Sequence, residues 1–169
     1  MPLPINDVIN YLGNLLFFSK YVIAFLGTII EGPIVTFMSG FLLKMGYFDF
    51  VPLYLCLFGG DFVADIGWYS VGRFGARKVL NKYGRFLKLT PETIEKIENK
   101  FKDNQQKIIF TSKITMGLSL PTLIVAGMMH VPFKKYIKVV FLGGLLWTGI
   151  LLGIGYFFAH IYVNIDFLH

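Results

Sequence analysis

Apolar residues fill most of this chain in long runs, and the runs break on charges, glycines and prolines. A helix that crosses a bilayer needs about 20 mostly apolar residues. Residues 139–159 satisfy this without a single charge: Lys134, Lys135 and Lys138 precede them, and Trp147 and Gly143, Gly144, Gly149, Gly153 and Gly155 lie inside. Small residues on such a helix let a second backbone come close. Residues 12–30 and 50–72 are long enough but carry Asn14 and Lys20 in the first and Asp61 and Asp65 in the second. Residues 32–43 form only a short apolar piece between Glu31 and Lys44, which as a helix covers about 18 Å of a roughly 30 Å hydrocarbon core. Residues 108–131 have Lys113 near the start and Pro121 in the middle.

Short apolar segments interrupted by glycine or proline point to re-entrant or broken helices, whose backbone survives at membrane depth only where protein or a water-filled cavity covers it. Residues 32–43 and 108–131 fit that description, which predicts two re-entrant hairpins. The distribution of cations supports the second one. If residues 73–107 are cytoplasmic, a full crossing by 108–131 would put Lys134, Lys135 and Lys138 outside, whereas a segment that enters and returns keeps them inside. The last span then runs outward, and no Lys or Arg follows residue 159.

Within the basic stretch, Thr90 is a good N-cap and Pro91 suits the first helical position. Ile94, Ile97, Phe101 and Ile108 recur at helical spacing, with Lys96, Lys100 and Lys102 elsewhere on the wheel. Glu92–Lys96 and Glu98–Lys102 are pairs four residues apart in the favourable order. Residues 91–107 are therefore predicted to form an amphipathic helix, set on the cytoplasmic membrane surface or serving as a solvated connector.

Composition agrees with a membrane protein. Hydrophobic residues make up 55% and charged residues 15% of 169, against about 25% charged in soluble domains, and the mean hydropathy is +0.63. The net charge of +6 lies wholly within residues 73–107, where ten Lys and Arg face four Asp and Glu (10 − 4 = 6). A basic block between apolar runs reads as a loop lying on anionic lipid, not as a nucleic-acid surface. Cys56 is the only cysteine, so no internal disulfide is expected. Asp7 and the lack of a basic cluster argue against a cleavable signal peptide. No repeat of 20–50 residues is visible, and one domain over residues 1–169 is expected.

Charges inside apolar segments cost about 2.5–3.5 kcal/mol each on insertion scales and need a reason. Glu31 stands before Gly32-Pro33, either as a proton-exchanging carboxylate or as a cap on a half-helix. Asp61 and Asp65 share one helix face, suited to a proton relay or to a polar interface bonded to Arg73 or Lys113. Lys113 fits a lipid phosphate, a carboxylate partner, or a side chain snorkelling to the surface. His130 and His160 read as interfacial residues. No metal-ligand spacing, phosphate-binding glycine loop or nucleophile elbow occurs, so no metal, cofactor or enzymatic activity is expected.

The run Asp65-Ile-Gly-Trp-Tyr69-Ser-Val-Gly72-Arg73-Phe-Gly75 resembles the signature of the DedA (VTT, SNARE-associated) family. Glu31-Gly-Pro33 followed by Gly40 resembles its first hairpin, Tyr83-Gly84-Arg85 and Leu87-Lys88-Leu89-Thr90 its connecting segment, and residues 110–127 with Pro121 and Ala126-Gly127 its second hairpin. Phe133, Gly143-Gly144 and Trp147 match the family pattern downstream of that hairpin, so the resemblance covers residues 25–160. It implies an all-α integral membrane protein with two re-entrant hairpins flanked by spanning helices, multi-pass in the plasma membrane. It implies translocation of lipid: bacterial members are associated with undecaprenyl phosphate and envelope homeostasis, coupled to ion gradients, and eukaryotic relatives scramble phospholipids. Where the family's second hairpin carries Arg, Pro and Arg at three-residue steps, this chain has Lys113, Met116 and Ser119. Lysine keeps the charge but lacks the bidentate fork that suits phosphate.

The expected function is that of a flippase or scramblase of a polyprenyl phosphate or phospholipid. Lys113, Arg73 and Ser119 hold the head group, Glu31, Asp65 and Asp61 couple protons, and Pro33, Gly40, Pro121 and Gly127 shape the hairpins. Membrane lipids are the expected partners and nucleic acid is not; association into homo-oligomers is left open. A proton-coupled carrier of a small ion and a membrane assembly protein are the alternatives.

Overall fold

The computed structural model describes residues 5–83, 91–115 and 118–166, with side chains over 18–75, 104–115 and 118–162 and at Glu92, Glu95, Lys96, Asn99 and Phe101. Thr90, the segment 84–90, Met116 and the side chains of Ile94 and Ile97 lie outside the described residues. All elements among the described residues are helices: α1 (Ile5–Lys44), α2 (Phe50–Tyr83), α3 (Pro91–Ile114), α4 (Ser119–Met128) and α5 (Phe133–Asp166). Three stretches are long and apolar enough to cross a membrane, Phe18–Lys44, Phe50–Gly75 and Phe133–Tyr162. Many of their large apolar side chains face outward, Ile30 and Phe74 more than 80% exposed, as a hydrocarbon solvent permits.

α2 runs straight through Asp61 and Asp65, which the sequence suggested as interruptions. α1 does break, at Glu31, whose φ of −142° and ψ of 71° are not helical. Pro33 lacks the N–H that would bond to residue 29, and its ring crowds that carbonyl. The bend is sharp: a β-carbon on Gly27 would lie 3.3 Å from Val35 Cγ1, whereas residues eight apart on a straight helix are separated by about 12 Å. The two arms of α1 therefore fold against one another.

α3 also breaks, at Asn104 (φ −160°, ψ 95°). Asn104 Oδ1 accepts a hydrogen bond from the Lys107 N–H at 3.2 Å, the geometry of an N-cap bonding three residues on. The predicted 91–107 helix is thus divided at Asn104, and the residues after it open a new helix that packs on α4. Phe101, expected on the face of a surface helix, is 1% exposed and sits in the protein core.

Contacts sort into two compact units, residues 1–60 with 148–169, and residues 61–147. The first has a core of Tyr21, Ala24, Leu53, Leu57 and Leu152. The second is centred on Tyr69, Ile109, Leu123–Ala126, Val131, Tyr136 and Val140. α2 and α5 each supply residues to both units, and the two helices match one another. Both have 34 residues, and an offset of 83 positions aligns Phe50 with Phe133, Phe58 with Phe141, Gly60 with Gly143, Gly72 with Gly155 and Phe74 with Phe157. The buried positions coincide as well: Leu53 with Tyr136, Leu57 with Val140, Asp65 with Thr148, Tyr69 with Leu152. This is a repeat longer than the 20–50 residues sought in the sequence.

The glycines explain why the repeat persists. A β-carbon on Gly72 would strike the Ile124 carbonyl of α4, and one on Gly127 would strike the Tyr69 carbonyl of α2. In the first unit, Gly155 stands in the same way against the Phe37 carbonyl, and Gly40 against that of Leu152. Each unit therefore contains a crossing at which two helical backbones touch, and in the first unit Gly60 makes another against the Phe25 carbonyl.

Both returning arms end in a Schellman turn. Gly46 takes φ +82°, with Tyr47 N–H bonded to Leu42 O and Gly46 N–H to Leu43 O. After α4 the left-handed residue is His130 (φ 53°), with Val131 N–H bonded to Ala126 O and His130 N–H to Gly127 O. A side chain in this conformation costs about 1 kcal/mol relative to glycine. His130→Gly should therefore raise the unfolding midpoint in detergent, by an amount equivalent to about 0.5–1 kcal/mol; an unchanged or lower midpoint contradicts the turn. Gly72→Ala and Gly155→Ala should each destabilise by about 1–3 kcal/mol through overpacking. Gly67→Ala, on the same helix as Gly72 but with nothing within 4 Å of its β-carbon, should be neutral or stabilising in the same thermal scan.

Candidate functional site

Three charged side chains meet inside the second unit. Asp61 and Asp65 lie near the middle of the Phe50–Gly75 stretch, roughly 15 Å along the helix from either end. Lys113 comes to them from the last turn of α3. Its ammonium bonds to Asp65 Oδ2 and lies 2.8 Å from Asp61 Oδ2. The latter contact is an ion pair without hydrogen-bond geometry, and that oxygen has no other donor among the described residues. Of the explanations weighed for Lys113, pairing with carboxylates is the arrangement present. Its side chain is 2% exposed, so it does not snorkel to a surface.

The surroundings hold this pair in place. Gly143 of α5 lies against the lysine stem, whose Cγ and Cδ would be in ordinary van der Waals contact, 3.7 Å, with a β-carbon there. Tyr136 donates its hydroxyl to the Asp65 backbone carbonyl at 2.7 Å, and its ring stacks on Tyr69 at 4.3 Å. Tyr69 donates to the Val131 carbonyl at 2.6 Å and accepts from Arg73 Nη1 at 2.6 Å. The hydroxyl is thereby filled on both sides, and Tyr69 links α2 to the turn that carries His130. Asp61 is the more accessible carboxylate, 18% exposed against 6% for Asp65.

The other candidates fall elsewhere. Arg73 does not join the ionic cluster; its guanidinium is half-buried and engages Tyr69. Ser119 opens α4, whose N-terminal turn has no side-chain cap. Pro121 and Gly127 lie on buried α4, Gly127 at its crossing with α2. Glu31 marks the break in α1, is exposed and belongs to the first unit, as do Pro33 and Gly40. Tyr136 and Gly143 were not singled out as site residues by sequence reasoning. Tyrosine and glycine are common in apolar helices, and nothing in their spacing announces the lysine and aspartate they serve.

The repeat supplies an internal comparison. In the second unit the Gly143 β-carbon position faces the side chains of Phe110 and Lys113 at 3.6–3.7 Å; in the first, that of Gly60 faces the same two places more closely, the Phe25 carbonyl at 2.5 Å and Thr28 Cβ at 3.1 Å. Thr28 thus stands where Lys113 stands, and Thr148 where Asp65 stands. Thr28 and Thr148 are both 2% exposed, and Thr28 bonds its own helix at the Ala24 carbonyl, 2.7 Å. Corresponding positions are therefore filled by neutral side chains in one unit, where the helices come closer, and by an ion cluster in the other.

Three long apolar helices, broken helical hairpins and a charge cluster within apolar surroundings define a multi-pass helical membrane protein. Residues 30–157 match the VTT domain, and the chain belongs to that family, the DedA proteins. It is 26% identical over 144 residues to Undecaprenyl phosphate transporter A of Bacillus subtilis (strain 168), covering 85% of this chain and 72% of that one. It is 23% identical over 135 residues to the membrane protein slr0232 of Synechocystis sp. (strain ATCC 27184 / PCC 6803 / Kazusa), covering 80% of this chain and 62% of that protein. It is 21% identical over 151 residues to the membrane protein YbfM of Bacillus subtilis (strain 168), covering 89% and 93%. No solved structure matches it.

Removing one partner of a buried ion pair leaves the others uncompensated and costs about 3–5 kcal/mol. Lys113→Met should lower thermal stability by that order in detergent, and adding Asp61→Asn and Asp65→Asn should recover most of the loss. A single mutant that melts with the wild type would show that the cluster does not hold the helices.

Proposed function

We propose that this protein moves a phosphate-bearing lipid, a phospholipid or a polyprenyl phosphate, across the bilayer as a flippase or scramblase, with the Asp61–Asp65–Lys113 cluster as its proton-coupling element. The observation that carries this reading is the contrast between the repeats. Thr28 and Thr148 occupy the equivalent places in the first unit, so the helix arrangement does not require ions there. A costly charge cluster kept near mid-span where neutral residues suffice elsewhere is best explained by use. Its likeness to Undecaprenyl phosphate transporter A supports a lipid cargo.

In this reading two carboxylates and one ammonium carry one negative charge in excess, and a single proton balances it. The carboxylate pair exchanges that proton around the ammonium it shares. Losing or gaining the proton changes how tightly Lys113 holds α3 to α2. The broken arms of α1 and the α3–α4 pair act as re-entrant hairpins, which lets polar backbone reach membrane depth. Arg73 contacts the lipid phosphate, with Ser119 and the uncapped start of α4 offering further donors. A guanidinium has five N–H donors, and only one is engaged by Tyr69. Glu31 at the break in α1 serves as a second exchangeable acid. Residues 91–103 rest on the cytoplasmic face, with Lys96 toward anionic lipid.

The same charge count suits a proton-coupled carrier of a small ion, so the deciding assay must follow lipid and protons separately. In proteoliposomes, wild-type protein should translocate fluorescent phospholipid or polyprenyl phosphate. Asp65→Asn and Asp61→Asn should reduce the rate by about tenfold or more, the loss of one functional interaction of about 1.4 kcal/mol, and Thr148→Val should retain it. Proton flux without lipid movement would favour the small-ion carrier, and full lipid transport by Asp65→Asn would sink the coupling role.

A further inference from the structure

In the first unit α5 presents Gly149 and Gly153, one turn apart, to a cavity of about 510 Å³ whose other walls are Leu43, Phe50, Leu152 and Tyr156. A β-carbon on Gly153 would meet nothing within 4 Å, and one on Gly149 would meet only the Tyr54 ring at 3.8 Å. The space exists because two side chains are missing. Its size falls within the range of ligand sites, about 300–1,000 Å³. The wall is apolar apart from the Tyr156 phenol and the backbone.

One charge stands at the rim. Lys44, the residue after Leu43, ends both α1 and the Phe18–Lys44 stretch. Its ammonium lies 5.1 Å from the centroid of the Tyr156 ring, a cation–π distance. Among the described residues no carboxylate lies within ion-pair distance of it. Phe50, in the wall of the cavity, is 58% exposed, and its neighbour Val51 is 63% exposed, so the slot opens on the apolar outer surface.

A cation with no carboxylate in reach among the described residues, at the end of an apolar arm, suits a lipid phosphate. An apolar slot that begins beside it is shaped for the chain attached to such a phosphate. We propose that this slot binds one hydrocarbon chain of an anionic phosphate lipid, with Lys44 paired to the phosphate and the chain laid over Gly149 and Gly153. A soluble apolar molecule would leave Lys44 unused, and free phosphate would leave the slot empty. The inference rests on the reading that this protein handles lipid, but it assigns a binding place in the unit that lacks the ion cluster.

The test is lipid binding to the purified full-length protein in detergent, read as bound mass by native mass spectrometry. Phosphatidylglycerol, phosphatidylcholine and inorganic phosphate are titrated in parallel. Phosphatidylglycerol should bind, and inorganic phosphate should not. Gly153→Leu fills the open space and should weaken phosphatidylglycerol binding by about tenfold, the cost of overpacking. Lys44→Gln should weaken it by about fivefold, the worth of one lysine at an anionic surface, and leave phosphatidylcholine unchanged. Thermal unfolding confirms that each variant folds; if Gly153→Leu does not, Lys44→Gln alone decides. Undiminished phosphatidylglycerol binding in the folded variants overturns the proposal, and so does inorganic phosphate binding as tightly as the lipid. Wild type that shows this binding pattern but transports nothing sinks the transport reading and leaves the slot. Wild type that transports while both variants bind lipid fully sinks the slot alone.

Discussion

Two helical backbones come into contact only where no side chain stands between them, and that constraint organises each half of this protein. Gly72 meets Gly127 in one unit, and Gly155 meets Gly40 in the other. In lipid, burying apolar surface gives no advantage over leaving it in the hydrocarbon, so helices associate through close packing and polar contacts. The outward-facing phenylalanines and isoleucines fit that solvent. The inward faces instead carry glycines, threonines, tyrosine hydroxyls and, in one place, ions.

Close contact between backbones also accounts for the irregular parts. A helix that must fold back needs a break and a tight turn, and each is made from local chemistry. Pro33 stops α1 at Glu31, Asn104 restarts α3, and Gly46 and His130 adopt the left-handed conformation that ends the returning arms. Once these turns are made, the returning arms can lie along α2 and α5 with their glycines in register. The repeat between α2 and α5 has the same origin: positions that must be small or buried agree across 83 residues, and exposed phenylalanines recur with them.

The ion cluster gains its meaning from this frame. Lys113 reaches Asp61 and Asp65 from α3 with its stem against Gly143, and Tyr136 anchors the Asp65 carbonyl. The counterpart built on Gly60, Thr28 and Thr148 is neutral and equally buried. The halves thus share a scaffold and differ in charge, one carrying paired ions and the other offering an apolar slot with Lys44 at its edge.

Much of this was legible in the residues themselves. Composition and the confinement of net charge to residues 73–107 determined the membrane class, because no soluble core can hide so many apolar side chains. Glu31-Gly-Pro33 marked the break in α1, since proline acts on its own helix whatever lies nearby. The order of the motifs around Asp65, Gly72 and Arg73 indicated the family. Other features depended on which segments folding brought together. The sequence offered Arg73 and Lys113 equally as partners for the aspartates, and only the placement of α3 against α2 chose Lys113 and gave Arg73 to Tyr69. It offered Phe101 as a membrane-facing residue, and the core took it. The repeat is faint in the sequence because its signal lies in which positions are buried more than in which residues fill them. Local chemistry is readable along the chain; partners separated by 48 residues, as Lys113 and Asp65 are, are settled only when the backbones that carry them touch.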